Sequence, residues 1–329
     1  MCKTAFVTGG TGFIGTNLIQ HLRNEGWKVT VFHRPGSKLT YLRPFQTDLK
    51  QGSVTDIDSI QKAMPERCDA VFHLAGDTNL WSRYNRRQRE VNVDGTRNML
   101  HVAASKEAGS FIYASSASAW GDALTTHITE SVPKQGGRSW VNYERTKWSA
   151  EQEVQKYRDH DMNVVILNPT TVTGPYDRNN WGKMFLALQN GKLPGIPDGV
   201  ISVTHVDEVA RAFLSAVSAG RNGENYILSG ETCTLKEFIT RIAKFVDGKE
   251  IPNEIPTILL KTIARFQSGI GYLTGESPDL TPELIHILTR KGISYSSEKA
   301  KRDLGYRILP LERSIEDCYN WLSNENFLN

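Results

Sequence analysis

Through the first half of the chain, short apolar runs alternate with longer stretches whose apolar residues recur at helical spacing. Strands are predicted at Ala5-Phe6-Val7, 29–32, 70–74, 111–114 and 164–167, with a weaker one at 48–52. Helices are predicted over 12–25, 56–64, about 89–108 and 140–158. Strands that are apolar throughout and joined by helices must be covered on both faces, which is the pattern of βαβ units in a doubly wound parallel sheet. After Pro169 the alternation fades. Residues 170–199 hold Gly174-Pro175, Gly191, Pro194, Gly195 and Pro197 around one helix near 181–190. A helix over 206–217 and a late strand at 226–228 follow, and then a mainly helical last third with helices at 235–246, 256–274 and 282–289. The expected organisation is an α/β sheet domain over 1–170, to which 201–230 returns, and a smaller, mostly helical lobe from 171–200 and 231–329.

Composition narrows the function classes. The 329 residues are 39% hydrophobic and 23% charged, an ordinary globular balance. Thirty-nine basic against 36 acidic residues leave a net charge of +3, too small an excess to predict a nucleic-acid surface. Cys2, Cys68, Cys233 and Cys318 are scattered, so neither a zinc site nor a disulfide framework is predicted, and no metal site is expected. No signal-peptide pattern and no apolar run long enough to span a bilayer is visible, and a cytoplasmic setting is expected. Ile258–Phe266 is amphipathic; it is expected to face the core of the smaller lobe, the other reading being contact with a membrane or an apolar substrate.

The strongest local signal is Thr8-Gly9-Gly10-Thr11-Gly12-Phe13-Ile14-Gly15, between a strand and an amphipathic helix. Its glycines satisfy G-x-G-x-x-G, permitting a tight turn, close backbone approach to a pyrophosphate and helix–sheet packing. The helix N-terminus adds free N–H groups and positive dipole, so a Rossmann-type dinucleotide site is predicted. The second strand ends at His33-Arg34-Pro35-Gly36-Ser37-Lys38, without the carboxylate that holds ribose hydroxyls in NAD sites. Arg34 and Lys38 suit a 2′-phosphate, so NADP(H) is favoured, with NAD(H) the alternative.

Tyr113-Ala114-Ser115-Ser116 follows a strand at the end where open α/β sheets bind ligands. Tyr143-x-x-x-Lys147 lies in a helical pattern, and residues four apart share one face. A cation beside a phenol lowers its pKa, which would make Tyr143 a usable acid–base group, with Ser116 bonding the substrate oxygen.

Taken in order, TGGTGFIG at Thr8–Gly15, HLAG at His73–Gly76, VNVDGT at Val91–Thr96, ASSASAWG at Ala114–Gly121, YERTK at Tyr143–Lys147, NPTTVTGP at Asn168–Pro175, HVDEVA at His205–Ala210 and SSEKAKRDLGY at Ser296–Tyr306 cover nearly the whole chain. In these the chain resembles the extended short-chain dehydrogenases/reductases of the NAD-dependent epimerase/dehydratase superfamily. Arg34, LWSRY at Leu80–Tyr84 and GENYILSGE at Gly223–Glu231 resemble the dihydroflavonol 4-reductase-like group, which includes hopanoid-associated epimerase-like proteins.

The resemblance implies Ser116, Tyr143 and Lys147 as the catalytic set, Lys147 also bonding the nicotinamide ribose. It implies Gly9, Gly12, Phe13 and Ile14 along the pyrophosphate, and Leu74, Ala75, Gly76, Ala114 and Ser115 beside the cofactor. Asn92 would brace the site, and Asn168, Pro169, Thr170 and Val172 would approach the nicotinamide. Where the family often has an acid facing adenine, this chain has Gly52-Ser53-Val54, so Ser53 and Val54 are the candidates there. Ala117-Ser118 after Ser116 replaces the Asp-Glu pair of sugar-nucleotide dehydratases, which argues against dehydration.

The expected function is NAD(P)H-dependent reduction of a carbonyl, or the reverse alcohol oxidation, on a small molecule. The alternatives are a nucleotide-sugar epimerase on retained NAD, with Arg178, Lys183 and Lys192 as candidate diphosphate ligands, and a dinucleotide-sensing regulator without turnover. The resemblance also implies a homodimer through helices flanking Tyr143. The Arg83, Arg86, Arg87 and Arg89 cluster reads as a solvated surface run or a grip for an anionic substrate. Trp81, Trp140 and Trp181 read as core residues or as pocket wall.

Overall fold

The computed structural model describes residues 2–193, 195–246 and 250–328, so Pro194 lies outside the described residues. Seven parallel strands form the main sheet, in the order Asn225–Leu228, Asn163–Pro169, Ser110–Ala114, Ala70–His73, Thr4–Thr8, Lys28–His33 and Asp48–Gln51. The first three strands in sequence step outward from Thr4–Thr8, and the fourth returns to its other side, so the strand order reverses between Thr4–Thr8 and Ala70–His73. Thr8 pairs with His73, and His73 with Tyr113. The loops after these three strands therefore open into one crevice at the carboxyl ends, where such sheets bind ligands.

Successive strand residues point to opposite faces, and each face has its own core. Val7, Val31, Phe72, Ile112 and Leu167 pack under helices Phe13–Asn24 and Val206–Ala219. Phe6, Val71, Phe111, Val164 and Ile166 pack under Gly95–Ser105 and Asn142–Gln155. His21 Nε2 lies 2.6 Å from Asp207 Oδ1, joining the two helices of the first face.

A third core lies in the second part of the chain, where helices Gly182–Gln189, Leu235–Ala243 and Leu311–Asn324 meet a three-stranded sheet. Its strands are Glu231–Thr234, Val200–His205 and Thr171–Thr173. The sequence reading has a helix at 206 but no strand before it. Val200–His205 runs without a turn into helix Val206–Ala219, so no punctuation marks the change of period. The Leu311–Asn324 helix was also not anticipated, although Leu311, Ile315, Cys318 and Leu322 are buried at helical spacing.

Two helices differ from expectation. The one predicted over 89–108 is composite: Asn85–Arg89, a π-helical turn at Glu90–Asp94, then Gly95–Ser105. Helix Thr257–Thr274, expected to face a core, buries Leu260, Ala264 and Gly271 and leaves Ile258, Leu259, Phe266, Ile270 and Leu273 exposed. Its small apolar cluster is shared with Leu280 and Ile285 and is too narrow to cover the rest of its surface. Among the described residues, no helix is long and apolar enough to cross a membrane.

Candidate active site

The glycine turn is shaped by close backbone approach. Gly9 has φ +71°, and a Cβ there would lie 2.6 Å from the Leu74 carbonyl carbon and 2.7 Å from the Ala75 nitrogen. A Cβ on Gly15 would lie 2.2 Å from the Gly9 carbonyl oxygen. The turn closes through a 3.0 Å bond from Gly12 N–H to the Gly9 carbonyl. Helix Phe13–Asn24 starts at Gly12 with no side-chain cap, so its first N–H groups are left for another acceptor. The Thr8 hydroxyl accepts from the Ala75 N–H at 3.2 Å, which binds the turn to the loop after the fourth strand. These features fit a pyrophosphate: exposed N–H groups, a helix dipole and no side chain in the way.

From Gly76 the same loop reaches Lys147. A Cβ on Gly76 would lie 3.6 Å from Lys147 Nζ and 3.4 Å from Asn92 Oδ1. Asn92 sits in the π-helical turn, where the widened backbone turns it inward, and its amide is fully used. It accepts from Asp77 N–H at 2.7 Å, and donates to the Asp77 carbonyl at 2.9 Å and to Thr146 Oγ1 at 3.0 Å. Asn92 thus ties this loop to the helix that carries Tyr143 and Lys147.

Ser116, with extended backbone, follows the Ser110–Ala114 strand, and its Oγ accepts from Ser118 N–H at 3.1 Å. The Ser116 side chain lies beside the Tyr143 hydroxyl and favours its ionised form. Burial pushes the Tyr143 phenol up to about 12, against the lowering effect of Ser116. Lys147, 6% exposed, donates to the Ala114 carbonyl at 2.8 Å, with Nζ 6.0 Å from the Tyr143 ring centre. Burial brings Lys147 down to about 8, while Glu151 acts the other way. The tyrosine is thus raised rather than lowered as expected, because burial outweighs the groups that favour the phenolate. The amine is held by a carbonyl, and desolvation dominates both groups.

Asn168 is buried and donates to the Ser116 carbonyl at 3.1 Å, while Pro169 is buried beside it. Thr170 N–H donates to the Leu228 carbonyl at 3.1 Å, and Val172 is half-buried against the first core. Phe13, Ile14, Leu74, Ala75 and Ala114 are half-buried around the crevice. At the far end, Ser53 Oγ bonds Thr55 Oγ1 at 2.8 Å, and Val54 is buried below Gly95. Arg34 and Lys38 are exposed after the second strand, and neither has an ion-pair partner among the described residues.

Several other side chains, some of them sequence candidates, are committed elsewhere. His73, fully buried, bridges Thr8 Oγ1 at 2.7 Å and Thr96 Oγ1 at 3.1 Å; burial holds its pKa down to about 3, so it stays a neutral strut. Arg86 pairs with Glu90, Arg87 with Asp77, and Arg83 bonds the Gly271 carbonyl, which leaves Arg89 as the exposed remainder of that cluster. Trp181 packs on Phe238 in the third core, Trp81 is buried, and Trp140 is exposed with its ring 5.1 Å from His286. Arg178 stacks on Phe327, and Lys183 and Lys192 are exposed.

Two buried networks behind the site went unread in the sequence. Glu151 Oε1 accepts from Ser115 Oγ at 2.5 Å and from Asn168 Nδ2 at 2.6 Å, while Oε2 meets Lys134 Nζ at 2.5 Å. Arg290, from the C-terminal part, grips the buried Glu144 carboxylate at 2.7 and 3.0 Å. The available signal for Glu151 was its place four residues beyond Lys147; that a face with Tyr143 and Lys147 continues into a third polar residue is unusual for a helix packed on a sheet.

The chain matches the model of the "NAD dependent epimerase/dehydratase family" over residues 5–229. It is 27% identical over 335 residues to a Synechocystis protein provisionally named dihydroflavonol 4-reductase, covering 100% of this chain and 97% of that one. It is 29% identical over 318 residues to 2-alkyl-3-oxoalkanoate reductase of Stenotrophomonas maltophilia, covering 91% and 93%. The crystal structure of gox2253 superposes with a TM-score of 0.83 at 28% identity, covering 99% of this chain and 100% of that one. With a dinucleotide-shaped glycine turn, a parallel sheet that reverses order above it and a family match over more than half its length, this chain belongs to the NAD-dependent epimerase/dehydratase family of enzymes.

Proposed function

We propose that this protein is a carbonyl reductase, or in reverse an alcohol dehydrogenase, that works through Ser116, Tyr143 and Lys147 with NADP(H) as its preferred cofactor. The observation that carries the reading is the Tyr143 hydroxyl beside Ser116, with the Lys147 amine on the same helix face beside the glycine-lined crevice. When bound, the reduced nicotinamide supplies a hydride to the carbonyl carbon. Gly9, Gly12, Phe13 and Ile14 would hold the pyrophosphate, and Lys147 the ribose. Ser116 Oγ orients the carbonyl oxygen, and Tyr143 gives it a proton, becoming a phenolate stabilised by Ser116 and by a protonated Lys147. A phenol whose pKa lies near 12 is fully protonated at neutral pH and ready to act as that acid.

Two relatives that align over nearly their full lengths carry reductase names, which supports reduction over epimerisation. Ala117-Ser118 after Ser116 leaves no carboxylates there for dehydration. The test is consumption of NADPH against a panel of aldehydes, ketones and flavanonols. Turnover with at least one is expected. No turnover with any, together with NAD retained through purification and interconversion of nucleotide sugars, would replace this reading by the epimerase one.

The NADP(H) preference rests on Arg34 and Lys38, which are exposed just after the second strand and have no ion-pair partner among the described residues. Charge-assisted bonds to a phosphate contribute roughly 1.5–3 kcal/mol each. The Arg34→Glu, Lys38→Glu double variant is expected to weaken NADPH binding by about 100-fold or more and to leave NADH binding nearly unchanged. Equal losses for both cofactors, measured by fluorescence titration, would remove these residues from cofactor selection.

A further inference from the structure

Helix Thr257–Thr274 is unusual for a soluble surface. Ile258 is 77%, Phe266 70% and Leu273 89% exposed, and Leu259 and Ile270 widen the same stripe. At 100° per residue these five side chains fall within one third of the helix circumference, opposite the buried Leu260, Ala264 and Gly271. Lys261 and Arg265, one turn apart, line one flank of the stripe. Neither has an ion-pair partner among the described residues, and the helix contains no carboxylate. Arg83 adds a cation at its last turn, donating to the Gly271 carbonyl at 3.3 Å. The Ser82 hydroxyl, 2.8 Å from the Tyr272 hydroxyl, and the Trp81 ring, 5.3 Å from the Tyr272 ring, fix this end against the loop that leads back to Gly76.

We propose that this face is a docking surface for an anionic phospholipid bilayer, with the helix lying in the plane of the interface beside the mouth of the active site. An apolar stripe with cations along its border is the pattern of helices that rest at the headgroup boundary. Charge decides against a second copy of the chain. A two-fold pairing would bring the same patch from both partners together, putting Lys261 and Arg265 of both into one interface with no carboxylate on either helix to offset them. The unpaired cations match phospholipid phosphates instead. The surface does not depend on the proposed reaction, and its test reads binding alone.

The test is flotation of the full chain with phosphatidylcholine vesicles, with and without phosphatidylglycerol. Flotation is expected with the phosphatidylglycerol vesicles, and is expected to weaken as salt rises. The Lys261→Gln, Arg265→Gln double variant should lose about tenfold or more in binding, at about 1 kcal/mol per cation. The Phe266→Asp, Leu273→Asp double variant should abolish it; both should keep the wild-type thermal midpoint, because the side chains they alter are exposed. Three results would each overturn the proposal: no flotation of the wild type, undiminished binding by both variants, or a wild-type dimer made monomeric by the aspartate variant without any vesicle binding.

Discussion

Replacing Tyr143 by Phe is expected to lower carbonyl turnover by about 10²–10⁴-fold, the range typical of losing a positioned acid. The effect should fall on kcat rather than on cofactor affinity. The ring remains to pack on its helix, and the pyrophosphate site proposed at Gly9–Gly12 lies in a different loop. The pH profile supplies a second reading. The proposed reduction needs a neutral Tyr143 phenol, which burial keeps protonated up to about 12, and a charged Lys147, which burial brings down to about 8. Reduction should therefore be fastest below about pH 8 and fall as Lys147 loses its proton. Oxidation of the alcohol, which needs the phenolate, should gain relative to reduction as pH rises. Turnover in Tyr143→Phe within threefold of wild type, with an unchanged profile, would remove the phenol from the reaction.

The glycine turn and Tyr143-x-x-x-Lys147 were legible because each works through backbone geometry or a fixed helical offset. Gly9 has to be glycine because the Leu74–Ala75 backbone fills the space of a Cβ, and the sequence displays that requirement directly. The parallel sheet was legible for the same kind of reason, since strands buried on both faces admit few polar residues. What could not be read was long-range. Arg290 reaches Glu144 from 146 positions away, and no local pattern marks either residue as the other's partner. The outward face of helix Thr257–Thr274 went unread for the opposite reason. An amphipathic period states that a helix has an apolar side, but not whether the rest of the protein covers it. The π-helical turn that aims Asn92 leaves no periodic trace either, because it inserts into a helix whose apolar spacing resumes after Gly95.

Glu151 carries the last and most structural of these expectations. Its carboxylate is almost wholly buried and meets Ser115, Asn168 and Lys134, and Lys134 is itself only 12% exposed. Glu151→Gln leaves the Lys134 ammonium without its bonded countercharge in a site whose burial already lowers its pKa, with Glu151 the foremost of the groups that raise it. Breaking one side of a buried pair costs about 3–5 kcal/mol, so the denaturant midpoint should fall by a corresponding amount. Adding Lys134→Met to Glu151→Gln removes the stranded charge and should restore part of the loss, a coupling that independent sites would not show. The substitution should also reach the reaction. Glu151 favours the charged form of Lys147, so its removal should lower the lysine pKa further and move the alkaline fall of the reduction rate to lower pH. The Glu151→Gln, Lys134→Met protein separates the two effects: a refolded variant with the wild-type pH profile would make Glu151 a support for folding alone, while a profile displaced to lower pH would establish it as a positioning residue that sets the charge of Lys147.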